Sequence, residues 1–305
     1  MIIVFIVIFA VMLIFFIVFI YKRLVLTKKQ KNIIVGKNSK LKEQQNIIHI
    51  KNEELTNKNT EILDSIKYAK RIQDAILPSK ESMDRNLDDY FVMYQPKDIV
   101  SGDFYWMQKQ KGKTLFAVGD CTGHGVSGAM TSMLCNNALN MSVKEYGLSE
   151  TGDILDQTRK MIVSEFEKSG EDVKDGMDIA LCSIEGNKLQ YSGANNPLWI
   201  VRDGEVIEIK ANKQPIGLFD NPQPYTTHNI DLEKGDAIYI FSDGYVDQFG
   251  GEKGKKLKSS FFRKILLSIQ DKSTEEQKTI IKDEFYKWMG DEEQVDDVCV
   301  FCVKI

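Results

Sequence analysis

The chain has 305 residues, enough for one large domain or two small ones, and its 43% hydrophobic and 28% charged content is ordinary for a globular protein. Charge is unevenly divided: residues 22–76 carry 13 Lys/Arg against 6 Asp/Glu, leaving 27 against 38 elsewhere. The acidic body argues against nucleic acid as a partner, and five cysteines, an odd number, predict free thiols rather than a disulfide framework.

Residues 2–20, IIVFIVIFAVMLIFFIVFI, contain no charged or polar side chain. As a helix they rise roughly 28 Å, about the thickness of a bilayer's hydrocarbon core. A cleaved signal peptide would begin with positive charge and end in small residues, whereas here Lys22, Arg23, Lys28, Lys29 and Lys31 come after the apolar run. A buried core helix is the alternative, but such helices rarely lack a polar face over this length. The expectation is a transmembrane helix over residues 1–21, single-pass in a bacterial inner (plasma) membrane. Everything beyond Tyr21 is then cytoplasmic, and no ectodomain is expected ahead of the anchor. The basic stretch that follows suits an anionic inner leaflet.

Residues 22–77 form a juxtamembrane basic segment and a coiled-coil helix ending before Pro78. Leu41, Ile48, Leu55, Ile62, Ala69 and Ile76 recur every seven residues. Taken as d positions, they place Gln45, Asn52, Asn59, Ile66 and Gln73 at a. Apolar d with Asn at a is a weak seam in which buried Asn sets register. The pattern predicts a parallel homodimer through residues 40–76; the alternative is one amphipathic helix lying on the next domain.

From residue 88 onward the pattern breaks into short elements. Tyr90–Tyr94, Phe104–Met107 and Thr114–Val118 read as strands, and Val126–Tyr146 and Ile154–Lys168 as helices. Strands follow at Ile179–Ile184, Leu189–Ser192, Leu198–Val201, Val206–Ile209 and Ala237–Phe241. Helices Phe261–Ile269 and Glu275–Trp288 precede a last strand, Val298–Val303. The class is α+β, with about nine strands. Cys299 and Cys302 make a Cys-x-x-Cys, but the run VCVFCVKI reads as a buried strand rather than a zinc or redox site.

Four places join Asp to a turn or strand end: SGDFYW with Asp103, VGDCTGHG with Asp120, FSDGYVD with Asp243, and QVDDVCVF with Asp296 and Asp297. Carboxylates at strand ends suit hard, oxygen-preferring ions such as Mg²⁺ or Mn²⁺. Glycines at 102, 119, 123, 125 and 244 let the backbone approach closely, so a main-chain carbonyl could also ligate.

The order QPKDIVSGDFYW, FAVGDCTGHGVSGAMTS, YSGANNPLWI, QPIGLF, YIFSDGYVDQ and DDVCVF resembles the SpoIIE-like branch of the metal-dependent protein serine/threonine phosphatases, relatives of protein phosphatase 2C. The resemblance covers residues 78–305, the phosphatase domain. It implies an αββα sandwich of two antiparallel sheets flanked by helices. It further implies two divalent ions, Mn²⁺ or Mg²⁺, and direct attack of water on phosphorus without a covalent phosphoenzyme. By position, Asp120 resembles the carboxylate bridging the two ions, with the Cys121 carbonyl as a backbone ligand. Asp243 resembles the second main ligand, Asp296 the last, and Asp103 a ligand directly or through water. The substrate implied is a phosphorylated regulatory protein, a STAS-type anti-sigma-factor antagonist.

The sequence also departs from the pattern. The small-residue-plus-His turn of many relatives is Ala194-Asn195-Asn196 here, and no arginine stands where protein phosphatase 2C grips phosphate; Lys97 is the candidate substitute for substrate binding, the alternative being an ordinary surface lysine. Between two glycines at a helix start, His124 suits a general-acid role or, as the preferred reading, a structural contact. Cys121 resembles a nucleophile only superficially, since no partner base is identifiable in the sequence and the resemblance implies use of its carbonyl. Asp178 begins a strand and is either a supporting group for the site or part of a turn. A rival to the enzyme reading is a catalytically silent, membrane-tethered dimeric scaffold, against which the intact acidic set counts.

Overall fold

A computed structural model describes residues 1–168 and 175–305. Contacts divide the chain into two units, Met1–Asp64 and Ser65–Ile305. The first is a single helix, the start of α1 (Ile2–Ile76). Its apolar N-terminal part has a mean hydropathy of 3.6 and is long and apolar enough to cross a membrane. Leu41, Ile48, Leu55 and Ile62 are all exposed along it.

The second unit begins at Ser65 rather than at residue 78, so the last turns of α1 belong to it. The a-position Gln73 is buried at 1% exposure. Its amide oxygen accepts the Ser101 N–H at 3.1 Å, while its nitrogen donates to the Ser101 carbonyl at 2.6 Å and the Ser132 hydroxyl at 3.1 Å. Ile66, Ala69 and Ile76, also on the expected seam, are half-buried. The fully exposed part of the apolar stripe therefore ends near Ile62.

The remaining elements are α2 (Lys80–Asp84), β1 (Tyr90–Gln95), β2 (Asp103–Gln110), β3 (Lys113–Cys121), α3 (Gly125–Lys144), α4 (Thr151–Glu167), β4 (Gly176–Glu185), β5 (Lys188–Ala194), β6 (Leu198–Arg202), β7 (Glu205–Ile209), β8 (Ile216–Gly217), β9 (His228–Asp231), β10 (Ala237–Phe241), α5 (Gly244–Asp247), β11 (Phe249–Gly250), β12 (Lys255–Lys256), α6 (Ser259–Ser268), α7 (Thr274–Met289) and β13 (Val298–Lys304). One sheet runs β1-β13-β10-β6-β7 and the other β2-β3-β4-β5-β9, with β8 added beside β4. All the named pairings in both sheets are antiparallel.

Alternation along the strands builds three layers of core, because successive side chains leave a sheet on opposite faces. Phe116, Val118, Ile238, Ile240, Cys299 and Phe301 meet between the sheets. Leu115, Ala117, Ile179 and Leu181 face the other way and pack with Leu139 of α3 and Ile154 of α4. Tyr239, Phe241, Val300 and Cys302 pack with Phe262 of α6 and Phe285 of α7. This is the expected αββα sandwich. Cys299 and Cys302 project into different layers, so they cannot share an ion, and all five thiols are free and buried. Ser273 and Glu276 close the start of α7 with a reciprocal capping box.

Replacing Gln73 by Ala leaves both polar groups of the Ser101 peptide without their side-chain partner in a buried setting. We expect a loss of about 1–3 kcal/mol in unfolding free energy, read by urea denaturation of the intact chain. A midpoint matching the unsubstituted protein would show that the clamp is dispensable.

Candidate active site

Both sheets end at the same place. Across β2 and β3, Asp103 stands opposite Asp120, and across β3 and β4, Asp120 stands opposite Asp178. From the other sheet, β10 runs out into Ser242 and Asp243, and Asp296 and Asp297 lead into β13. Asp120, Asp178, Asp243 and Asp296 line one cleft of about 250 Å³, together with Cys121, Thr122, Gly123, His124, Gly176, Met177, Pro215 and Gly217. Asp103 does not line that cleft; it is buried, and the Ser242 hydroxyl donates to its Oδ2 at 2.5 Å across the two sheets.

The two consecutive aspartates divide their work. Asp297 is buried, and its carboxylate accepts the Lys97 N–H through Oδ1 and the Gly102 N–H through Oδ2, each at 2.7 Å. Both oxygens are thus engaged by backbone. Asp296 is half-buried, faces the cleft, and accepts the Asp297 N–H at 2.8 Å.

Close backbone packing explains the glycines. A Cβ on Gly128 of α3 would overlap the Gly123 carbonyl, and one on Gly244 would overlap the Asp297 carbonyl. Gly123 itself has φ +85°, a conformation other residues adopt only with strain. These contacts bring the Cys121–Gly123 turn against α3 and the Asp243 turn against β13.

Negative charge accumulates here, and the charges acting most strongly on these carboxyls are those of other carboxylates. Burial and then the Asp120 charge push the Asp103 carboxyl well above its usual range. Burial, then Asp243, Asp296 and Asp178, do the same to Asp120. Solvent reaches Asp243, yet partial desolvation and the charges of Asp247 and Asp296 hold it up to about 6. Burial also raises Asp178, opposed by the hydrogen bond it accepts from the Asn195 amide at 2.8 Å. Among the described residues, no three His, Cys, Asp or Glu donors already stand close enough to hold an ion. The chemistry of the donor set nevertheless fits divalent cations: oxygen ligands whose strongest charged neighbours are other carboxylates.

The family profile for stage II sporulation protein E (SpoIIE) matches residues 110–305. The chain belongs to the SpoIIE family. The fold is similar to the PP2C domain of SiaA from Pseudomonas aeruginosa, at 30% identity and a TM-score of 0.74, covering 81% of this chain and 98% of that one. It is also similar to the phosphatase domain with part of the regulatory domain of SpoIIE from Bacillus subtilis, at 18% identity and a TM-score of 0.59, covering 71% and 62%. The phosphoserine phosphatase RsbU of Bacillus subtilis (strain 168) is 24% identical over 190 residues, 61% of this chain. The match spans 55% of that relative's length. This SpoIIE-family domain therefore places Asp120, Asp243 and Asp296 on one cleft and Asp103 beside it, with the Cys121 backbone on its wall. Lys97 lies next to His124 at the rim, its Nζ 3.4 Å from Nε2. Gln73, Asp98 and Ser242 also touch the site or its supports; Asp98 and Ser242 stand inside the quoted motifs, but only the hydrogen bonds give them a part.

Raised carboxyls set a pH dependence. The folded state holds the Asp243 proton more tightly than the unfolded chain does, so ionising it works against the fold. The metal-free domain should lose stability as pH rises from the ordinary 3.8 through about 6, with Asp103 and Asp120 extending the loss upward. Millimolar Mg²⁺ should remove that slope. Thermal melts across this range, with EDTA or Mg²⁺, check it; a flat metal-free profile would contradict the charge account.

Proposed function

We propose that this chain is a membrane-anchored, metal-dependent protein phosphatase acting on phosphoserine or phosphothreonine of a regulatory protein. The observation that carries the reading is the convergence of carboxylates from both sheets on one cleft, in a SpoIIE-family domain.

Asp120, Asp243, Asp296 and the Cys121 carbonyl would hold the ions, with Asp103 contributing directly or through water; Asp297 is withheld by its two backbone N–H partners. Bound divalent cations acidify water and neutralise charge on the phosphoryl oxygens. Lys97 supplies a mobile positive charge at the rim for the phosphate. Asn195 keeps Asp178 turned along the cleft wall. Pro215 and Gly217 also line the cleft, next to the start of the Asp178 strand, and the exposed Leu218 and Phe219 beside them offer apolar contact to a protein substrate.

Phosphoserine on a STAS-type antagonist is the favoured substrate, supported by the similarity to RsbU. The apolar start of α1 supports a single-pass anchor in the bacterial inner membrane with the domain cytoplasmic, and the basic residues after it suit anionic lipid. The exposed stripe from Leu41 to Ile62 supports a homodimer. The turns beyond it, where Gln73 is buried in its own domain, are the less exposed part of the proposed seam over residues 40–76.

With Mn²⁺, the chain should release p-nitrophenol from p-nitrophenyl phosphate, and EDTA should abolish the release. Asp120→Asn and Asp243→Asn should each lower kcat by at least about 10²-fold at ordinary Mn²⁺ while remaining folded, with a metal-free melting temperature at neutral pH no lower than that of the unsubstituted protein. Near-normal turnover in either variant would remove the metal assignment. No turnover by the unsubstituted chain would favour the scaffold.

A further inference from the structure

Directly after Asp243 the chain makes one helical turn, α5, and then the short hairpin β11–β12. Lysines stand at 253, 255, 256 and 258 in that hairpin and its exit. The register pairs Phe249 with Lys256 and Gly250 with Lys255, so Phe249 and Lys256 share one face and Lys255 takes the other. On the shared face the Lys256 ammonium lies 6.0 Å from the Phe249 ring centroid and donates to Oδ2 of Asp247 at 2.6 Å. Asp247 closes the turn that Asp243 opens, its N–H donating to the Asp243 carbonyl at 2.9 Å. Lys256 is therefore a cation on the Asp243 side of the cleft, whereas Lys97 stands beside His124.

The base of the hairpin is fixed. Gln248 is fully buried; its side chain donates to the Glu293 carbonyl at 2.9 Å and accepts the Val295 N–H at 3.1 Å, which ties it to the segment entering Asp296. The Trp288 carbonyl of α7 accepts the Gly251 N–H, and a Cβ on Gly250 would overlap that same carbonyl. Phe249 nonetheless stays 40% exposed, and the Lys256 and Asp247 side chains 45% and 39%. So open an ion pair adds little to stability. An ammonium on a flexible four-carbon stem can also exchange one carboxylate for another. A fixed base that carries an exposed ring and an exchangeable cation suits recognition rather than folding.

Charge and reach define what would bind. Glu252 is the one acid within residues 249–258, against the four lysines, and Glu292 lies near Gly254. Asp247 and Asp296 already repel Asp243, so an acidic side chain arriving at this edge needs a cation to receive it. Asp247 is one turn, about 6 Å of helix, beyond Asp243. An extended peptide advances about 3.3 Å per residue. A chain with its phosphoserine over the cleft therefore passes Lys256 about two or three residues away.

We propose that Lys256, beside Phe249 and held by Asp247, is a specificity-determining residue that receives an acidic side chain of the substrate protein two or three residues from its phosphoserine. The inference rests on the phosphatase reading above and narrows its substrate to phosphoserine segments with an acidic residue on one flank.

Phosphoserine peptides with Glu, Ala or Lys at the second and third positions, before the phosphoserine in one set and after it in another, test this in the full chain at saturating Mn²⁺. In one set, kcat/KM for the Glu peptide should exceed that for the Ala peptide by at least about threefold, mainly through KM. Lys256→Ala should bring that ratio to about one. Lys256→Glu should invert the preference toward the Lys peptide, whereas a merely structural lysine would affect all three peptides alike. A ratio below about threefold in both sets, a Lys peptide preferred by the unsubstituted chain, or a Glu preference that survives Lys256→Ala would overturn the inference. Turnover of p-nitrophenyl phosphate by the unsubstituted chain without any flank preference would overturn this inference alone. No turnover of p-nitrophenyl phosphate or of any peptide would overturn the phosphatase reading as well.

Discussion

The candidate site depends on a buried carboxylate whose two oxygens both hold backbone. Asp297 accepts two backbone N–H groups, those of Lys97 and Gly102, and so ties the start of β13 to the turn that enters β2. Those two strands belong to different sheets. The Ser242 hydroxyl makes the second tie, to Asp103, and also accepts the Cys299 N–H at 3.0 Å. With these bonds in place, Asp296 cannot follow Asp297 inward and is left on the cleft wall. Charge-assisted bonds from backbone N–H to carboxylate are among the stronger ones available to a protein, which suits a joint between two otherwise separate sheets.

What the joint assembles is unfavourable by itself. Carboxylates drawn together and partly desolvated resist ionisation, and Asp103, Asp120 and Asp243 all show it. The three core layers hold the strands while their ends repel. A divalent cation would reverse the sign of that interaction, so the same crowding that opposes the empty fold favours the loaded one. The Gln73 clamp adds a further constraint, because it grips the residue two before Asp103 from the end of a helix whose other end is apolar.

Much of this was legible in the sequence because it is written in local pattern. Alternation marked the core strands; Ala237–Phe241 has the same limits in both readings. Aspartates after apolar runs marked the strand ends that form the cleft. Elements set by long-range contact were not legible. β9, His228–Asp231, is too short and polar to show alternation and exists because it pairs with β5. Gln73 fell on the sevenfold repeat, so its polar side chain read as a seam residue, whereas the domain buries it. His124 reads in sequence as a structural contact, and its partner Asp98 lies 26 residues away, so only geometry joins them. Asp296 and Asp297 are adjacent and identical in type, and their separation into a cleft residue and a buried tie needed the hydrogen bonds.

Anomalous diffraction at the manganese edge, from crystals of the phosphatase unit grown with Mn²⁺, tests the central claim most directly. The account predicts two peaks in the cleft, both within ligand distance of Asp120, with Asp243 and Asp296 completing the set and Asp297 still bonded to the Lys97 and Gly102 backbone. No peak in the cleft, or an ion held by Asp297 in place of Asp296, would contradict it.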